Sequence, residues 1–392
     1  MRDVVIVSAA RTPIGDFFGA LKDFSAVDLG VIALKAAIEK AGIEPDQIEE
    51  VVGGHIYQAG CKGNTARQVA LGSNCSVQTV ASTINQQCAS SLRATEILVQ
   101  EIMLGKVDVG AAVGYESMTN VPYLLPKVRS GYKMGHGELL DSLLHDALFD
   151  AFNNYHMGIT AENLAESYDI SREEQDHLAL LSHERASKAI KVEKFKEEIV
   201  PIEIKTKKGS FIFDTDEHPK SDINIDKLAS LRPAFKKDGT VTAGNASSLN
   251  DGAAALIIMT AEKAKEYGLM PLARIVATAS ASVDPKVMGI GVVPAVEKAL
   301  RFANLQKDEI GYWEINEAFA AQFLAVNREL KLDINKVNAN GSGISLGHPV
   351  GCTGIRLLIS LINEMHRRGV QYGCASLCSG GGPAAAMIIE VL

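Results

Sequence analysis

Apolar residues along this chain fall into short β-branched runs that alternate with helix-length stripes, a pattern that predicts an α/β protein. Val4 to Ala9 reads as a first strand, followed by a turn at Arg11-Thr12-Pro13-Ile14-Gly15. Ser25-Ala26-Val27-Asp28 has the form of an acidic capping box. It opens a helix with Leu29, Ile32, Ala33, Ala36, Ala37 and Ala41 on one stripe, stopped at Gly42. Glu50 to Ile56 predicts a second strand and Asn64 to Leu71 a short helix. A strand over Val77 to Ile84 then hands over to a helix over Ser90 to Leu104, ended by Gly105, and a buried strand follows over Val107 to Val113. Continuous apolar strands of this kind are covered on both faces.

From about Thr119 to Ser248 the texture changes to polar turns and charge. Ser171-Arg172-Glu173-Glu174 is a capping box for a helix running towards Ile190. Lys188, Lys191, Lys194, Lys196, Lys205, Lys207 and Lys208 follow among glutamates. They read either as a solvated face or as a local basic lining for a polyphosphate ligand. The α/β texture returns with strands over Ala253 to Thr260 and Leu272 to Ala281, a helix near Pro294 to Phe302, and a strand near Tyr312 to Ile315. Next come a helix over Glu317 to Leu330, a strand over Val337 to Ala339, a glycine loop and a helix over Thr353 to Met365. Strands over Cys374 to Leu377 and Ala384 to Val391 finish the chain, so the second half repeats the element order of the first.

Length and charge narrow the function. The chain has 392 residues, enough for two or three domains, with an ordinary 47% apolar and 22% charged composition. A net charge of -8 argues against nucleic acid or an anionic membrane as the main partner. No apolar run reaches membrane-spanning length and the N-terminus lacks a signal pattern, so a cytoplasmic location is expected. The six cysteines form no C-x-x-C pair and the histidines supply no zinc spacing, so no metal is expected. Scattered cytosolic cysteines stay reduced, which leaves room for a chemical thiol.

Cys88 is the first candidate. It lies in Asn85-Gln86-Gln87-Cys88-Ala89-Ser90-Ser91 where strand becomes helix, and the unpaired N–H groups of a helix start favour a thiolate. Three more stretches place polar or reactive residues at strand ends, the usual edge for active sites. They are Asn316-Glu317-Ala318-Phe319-Ala320, Asn338 to Gly351 with Gly347-His348-Pro349-Val350-Gly351, and Leu377-Cys378-Ser379-Gly380-Gly381-Gly382. The glycines of 341–347 do not follow the first strand and lack G-x-G-x-x-G, which rejects a dinucleotide phosphate loop.

Together with Thr242-Ala243-Gly244-Asn245-Ala246-Ser247-Ser248-Leu249-Asn250-Asp251-Gly252-Ala253, these stretches resemble the thiolases in order and spacing over essentially the whole chain. The resemblance implies two similar α/β halves in a layered αβαβα core: residues 1–118 completed by 249–268, and 269–392, with 119–248 as an inserted loop domain. It implies condensation of two acetyl-CoA to acetoacetyl-CoA and CoA, and the reverse thiolysis, through an acetyl-cysteine intermediate. Coenzyme A and acetyl-CoA would be substrates, with no permanently bound cofactor. Relatives of this kind are usually homotetramers.

By that resemblance Cys88 is the nucleophile and His348 activates it and donates to an oxyanion. Cys378 moves the α-proton, Asn316 holds a water for the second oxyanion hole, and the Gly380 N–H serves the first. Ser247 would bond the pantetheine arm. His156 and Met157 would border the acyl and pantetheine pocket, and Leu148 and Phe235 would flank the substrate. Phe319 would sit at the acyl end, Lys220 near the nucleotide phosphates, and Ala243, Leu249 and Ala318 would also contact the substrate. Asn316 also has a plainer reading as the N-cap of the helix after it. Two activated thiols in one small site suggest that oxidation joins Cys88 to Cys378. Departures are Ala89-Ser90-Ser91, Ser248, Pro383, Lys220 and Lys227, where thiolases usually carry Gly-rich, Gly, Met, Arg and in some cases Ser residues. A thiolase for longer 3-ketoacyl-CoA chains is the close alternative. A non-catalytic acyl-CoA or partner-binding relative would lack one of Cys88, His348 and Cys378.

Overall fold

A computed structural model of the chain describes residues 2–207 and 209–392. Lys208, one of the lysines counted above, lies outside the described residues. Nine main strands form one sheet: β1 (Val4–Arg11), β2 (Glu50–Gly54), β3 (Val80–Ile84), β4 (Val109–Ser117), β5 (Asn250–Thr260), β6 (Ala273–Ser282), β7 (Tyr312–Ile315), β8 (Tyr372–Cys378) and β9 (Pro383–Glu390). Their order across the sheet is β3-β2-β4-β5-β1-β6-β9-β8-β7. Outward from the β1–β6 seam, both sides run through the same succession of chain positions: first, last, then the inner strands. The seam itself is short, pairing Val5 with Arg274 and Ile6 with Ala273. β2 runs parallel to β3 and β4, and β7 parallel to β8, so each half sends its loops out at the C-terminal ends of parallel strands.

Eight helices matter for the site: α1 (Ala26–Ala41), α2 (Thr65–Gly72), α3 (Ser90–Met103), α4 (Met157–Ser167), α5 (Arg172–Lys191), α6 (Val292–Ala303), α7 (Ala320–Leu330) and α8 (Thr353–Arg368). Leu92 and Leu98 of α3 and Ile355, Leu358 and Ile362 of α8 share one core with Ile6, Leu256, Leu377 and Met387 from both half-sheets. Thus α3 and α8 form a middle layer. α1 and α2 cover the outer face of one half-sheet and α6 and α7 that of the other, which completes the αβαβα order. Both expected capping boxes form, at Ser25–Asp28 and Ser171–Glu174. A fully buried Arg11 ties β1 to the central segment, donating to Asp216 at 2.7 and 2.9 Å and to Glu198 at 2.9 Å.

Two expectations near the site are corrected. Val337 to Ala339 is not a strand: only Val337 bridges to Trp313. Asn338 turns into the left-handed region, at φ +47°, and its side chain takes over the ladder. Its Oδ1 accepts from Ile315 N–H (2.8 Å) and its Nδ2 donates to Ile315 O (2.7 Å). The helix expected from Glu317 begins at Ala320, because Ala320 N–H donates outward to Asn245 O (2.8 Å) and Phe319 bridges Ala246. Smaller shifts also occur: β3 starts at Val80 because a turn from Ser76 to Thr79 precedes it, and β4 runs on to Ser117.

The middle layer depends on close backbone approach. A Cβ on Gly54, at the end of β2, would sit 2.4 Å from Ser91 N in the first turn of α3. Backbone cannot yield as a side-chain tip does, so Gly54→Ala is expected to cost about 1–3 kcal/mol of stability and to displace the start of α3. Thermal unfolding together with activity checks this; a variant that keeps both would contradict the packing described.

Candidate active site

Four loops meet over the N-terminal ends of α3 and α8. In the first, Asn85 to Ala89 makes a tight turn between β3 and α3. Ser90 Oγ accepts from Gln86 N–H (2.9 Å) and donates to Gln87 O (2.6 Å), holding Gln87 in the left-handed region at φ +49°. Strain of this kind persists where surrounding bonds over-determine it. Cys88 therefore lies two residues before α3 and keeps partial exposure. Its own N–H and that of Gly380 lie near enough to the sulfur to favour its thiolate. The expected lowering of the thiol is not what results. Burial dominates and pushes Cys88 up to about 11, against the pull of the two N–H groups and with a further push from Glu116.

Cys378 ends β8 and is 1% exposed. Burial raises its thiol as well, and a charge on Cys88 would raise it further, so the two thiols cannot readily ionise together. Both are free. Ser379 fastens the two loops: its Oγ accepts from Ala89 N–H (3.2 Å) and donates to Gln86 O.

His348 follows Gly347, which sits at φ +96° against Asn250. The His348 N–H donates to Asn250 Oδ1 (2.9 Å), and Nδ1 lies 2.6 Å from Thr353 Oγ1. The Thr353 hydroxyl spends its one hydrogen on Pro349 O (3.0 Å), so Nδ1 carries the ring proton and Nε2 keeps a lone pair. Nε2 faces Asn316 Nδ2 at 3.3 Å. Burial, aided by the Arg356 charge, brings His348 down to about 3, so the ring is neutral near pH 7. Asn316 is not an N-cap: that place belongs to Phe319, three residues on. The Asn316 Oδ1 is buried with no partner, a socket for a donor such as water or a substrate group.

The remaining expected residues gather around these loops. Met157 closes over Gly380, where an added Cβ would come within 3.1 Å of its Cε. His156 caps α4 by accepting from Gly158 N–H (3.0 Å) and stacks on Phe235, ring centroids 4.4 Å apart. Phe235 meets Phe319 edge-on at 6.1 Å. Ser247 N–H donates to Ala318 O (2.9 Å). Leu148 and Leu249 pack in one apolar cluster with Cys88, Tyr57 and Val350. Lys220 and Ala243 line a separate cleft of about 300 Å³ with His183, His218 and Lys227. The lysines between 188 and 207 do not line that cleft. Lys194 pairs with Glu364 and Lys196 with Glu193.

Several supporting residues were not singled out from sequence. Asn250 and Ser379 lie inside the matched stretches and Thr353 two residues beyond one, so position hinted at the first two while their partners did not. Two departures also find uses. Ser91 Oγ accepts from Ile355 N–H (3.2 Å), filling an open donor at the start of α8. Ser248 Oγ donates to Asn250 Oδ1 (2.7 Å), bracing the residue that holds His348.

Comparison with known proteins agrees along the full chain. The family profile "Thiolase, N-terminal domain" matches residues 4–262 and "Thiolase, C-terminal domain" residues 269–391. The acetyl-CoA acetyltransferase of Cupriavidus necator is 48% identical over 391 residues, covering 100% of both chains. That of Escherichia coli is 49% identical over 393 residues, again covering 100% of both. The solved acetyl-CoA acetyltransferase of Syntrophomonas wolfei superposes with a TM-score of 0.98 at 47% identity, covering 100% of each chain. Human mitochondrial 3-ketoacyl-CoA thiolase gives 0.97 at 43% identity, covering 100% of this chain and 99% of that one.

The buried histidines predict a pH dependence of stability. His348 and His183 fall from an ordinary 6.5 to about 3 in the folded protein, chiefly through burial. Below 6.5 the unfolded state binds protons that the folded state refuses, so stability is lost as pH falls from about 6.5 towards about 3. Each contributes up to about 1.4 kcal/mol per pH unit in that window. Denaturant unfolding at pH 4–8 measures the slope, and His183→Gln is expected to remove about one histidine's share; an unchanged slope would refute the assignment.

Proposed function

This chain belongs to the thiolase family and is an acyltransferase, and from that premise we propose how it joins two acetyl-CoA molecules into acetoacetyl-CoA and CoA. The observation that carries the reading is the cluster itself: Cys88 with its own N–H and that of Gly380 near its sulfur, beside a second buried thiol and a neutral imidazole.

Cys88 passes its proton to the His348 lone pair and attacks the thioester carbonyl of the first acetyl-CoA. The Cys88 and Gly380 N–H groups take the developing oxyanion. CoA leaves with a proton and an acetyl-Cys88 thioester remains. The second acetyl-CoA places its thioester oxygen at the Asn316 amide N–H beside His348, and its α-proton passes to Cys378 as the Cys378 thiol proton goes to the Cys88 sulfur that the condensation releases. The resulting carbon attacks acetyl-Cys88, expelling the Cys88 sulfur. Starting from protonated thiols suits this order, since proton transfer and bond formation proceed together and no lone thiolate waits in an apolar site.

Several features support the rest of the reading. The cleft with Lys220, Lys227 and His218 offers cationic and donor groups for nucleotide phosphates. Met157 over Gly380 and the Phe235–Phe319 contact crowd the acyl end, which favours short acyl chains. The 119–248 segment exposes Tyr123, Leu125, Val128 and Met134, apolar surface that suits a homotetramer contact. We take 1–118 with 249–268, 119–248, and 269–392 as the working units, and the cytoplasm as the location. Among the described residues no helix is long and apolar enough to cross a membrane. The likeness to human 3-ketoacyl-CoA thiolase sustains a second reading with longer acyl chains.

Thiolysis of acetoacetyl-CoA measured beside a medium-chain 3-ketoacyl-CoA separates the two. Strong preference for acetoacetyl-CoA, abolished in Cys88→Ala, is the expected result, and equal rates would move the enzyme to the broader class. Asn316→Ala is expected to lower kcat on the order of 10²–10³-fold. A change confined to KM would contradict its oxyanion role.

A further inference from the structure

Glu116 is 0% exposed near the C-terminal end of β4, and thiolase chemistry as described above has no use for it. Its carboxylate nevertheless collects donors from two loops of the site. Oε2 accepts from Ile56 N–H (3.2 Å) and Gly351 N–H (3.0 Å). Oε1 accepts from Tyr57 N–H (3.2 Å) and lies 3.2 Å from His55 Nε2. Gly351 is three residues beyond His348, and only a glycine fits there, since an added Cβ would come within 2.7 Å of Oε2. Ile56, Tyr57 and Val350 belong to the apolar cluster that touches Cys88, Leu148 and Leu249. Tyr57 extends the reach: its hydroxyl donates to Leu143 O (2.8 Å), just before the turn that carries Leu148.

We propose that Glu116 is a positioning residue for the condensation, its carboxylate clamping the loop that carries His348 to the wall of the acyl pocket beside Cys88. The proposal rests on the assignment of Cys88 and His348 as reacting groups. A carboxylate is needed because the three backbone N–H groups all donate and a carboxylate only accepts. His55 packs beside the clamp: its Nδ1 lies 3.0 Å from Thr65 Oγ1, and its Nε2 sits 3.2 Å from Oε1 without the alignment of a hydrogen bond. A Gln would present an amine to one of these donors and break the clamp on one side.

The clamp has an electrostatic consequence. The titratable groups facing Cys88 are Cys378, Tyr57 and Glu116, with His55 behind Glu116 and neutral His348 on the neighbouring loop. Cys378 and Tyr57 are pushed up by burial and stay protonated where Cys88 begins to ionise. Glu116 is thus the charge opposing a Cys88 thiolate. Geometry is gained at the expense of a more acidic nucleophile.

Two variants test this in the full-length enzyme: Glu116→Gln, which removes the charge, and Glu116→Asp, which keeps it but withdraws the oxygens. In both, kcat for acetoacetyl-CoA thiolysis is expected to fall at least about tenfold with KM within about twofold, as for a small displacement of reacting groups. Iodoacetamide alkylation of Cys88, followed by mass spectrometry across pH, is expected to shift its midpoint down by about half a pH unit or more in Glu116→Gln and to stay put in Glu116→Asp. Unchanged kcat, or a midpoint that fails to fall in Glu116→Gln, overturns the proposal. Failure of both variants to fold overturns it too, since Glu116 is then a stability element. If wild-type enzyme turns over no acyl-CoA, the functional reading fails instead.

Discussion

The close crossing of α3 and α8 is the constraint on which the site depends. Each helix starts directly beneath a loop with a proposed catalytic residue, Cys88 above α3 and His348 above α8. Glycines make the crossing possible. Cβ atoms at Gly54, Gly114 and Gly354 would lie 2.4 Å from Ser91 N, 2.5 Å from Gly351 O and 2.6 Å from Leu92 N. The half-sheets, joined only at a two-residue seam, wrap this helix pair and deliver Asn316 and Cys378 from the ends of β7 and β8. The four loops meet because two similar halves share one middle layer.

Bringing them together buries Cys378 and His348 and leaves Cys88 only partly exposed. Burial raises both thiols and lowers the imidazole, so the resting site is uncharged at Cys88, Cys378 and His348. That state suits a reaction whose charges arise only in transit. In the proposed reaction the Cys88 and Gly380 N–H groups serve one side, and on the other the Asn316 amide stands beside a His348 lone pair ready to take a proton. The unpartnered Asn316 Oδ1 fits the same logic, since an open acceptor in a buried site is costly unless a later guest fills it.

Much of this was legible in the sequence. Alternating elements predicted the α/β class, capping boxes located α1 and α5, and the matched stretches named Cys88, His348, Cys378, Asn316 and Gly380. What failed has physical causes. Helix-start reasoning predicted a favoured Cys88 thiolate, but it counts the local N–H groups and cannot count the protein packed around the sulfur. Asn316 looked like an N-cap because it precedes an apolar helical stripe; a long-range backbone bond from Ala320 N–H to Asn245 O holds the residues before the helix extended. Asn338 replaced a strand with side-chain bonds, which no periodicity records. Glu116 gave no signal because its partners are backbone N–H groups of loops 60 and 235 residues away.

The proposed division of labour between the two thiols is tested most directly by isotope exchange. Labelled CoA is incubated with acetyl-CoA and Cys378→Ala enzyme, and label entering acetyl-CoA is followed beside acetoacetyl-CoA formation. The account predicts that exchange through acetyl-Cys88 persists while carbon–carbon bond formation is lost. Loss of exchange together with condensation, in a folded variant, would show that Cys378 is required for acyl transfer itself and would contradict the division.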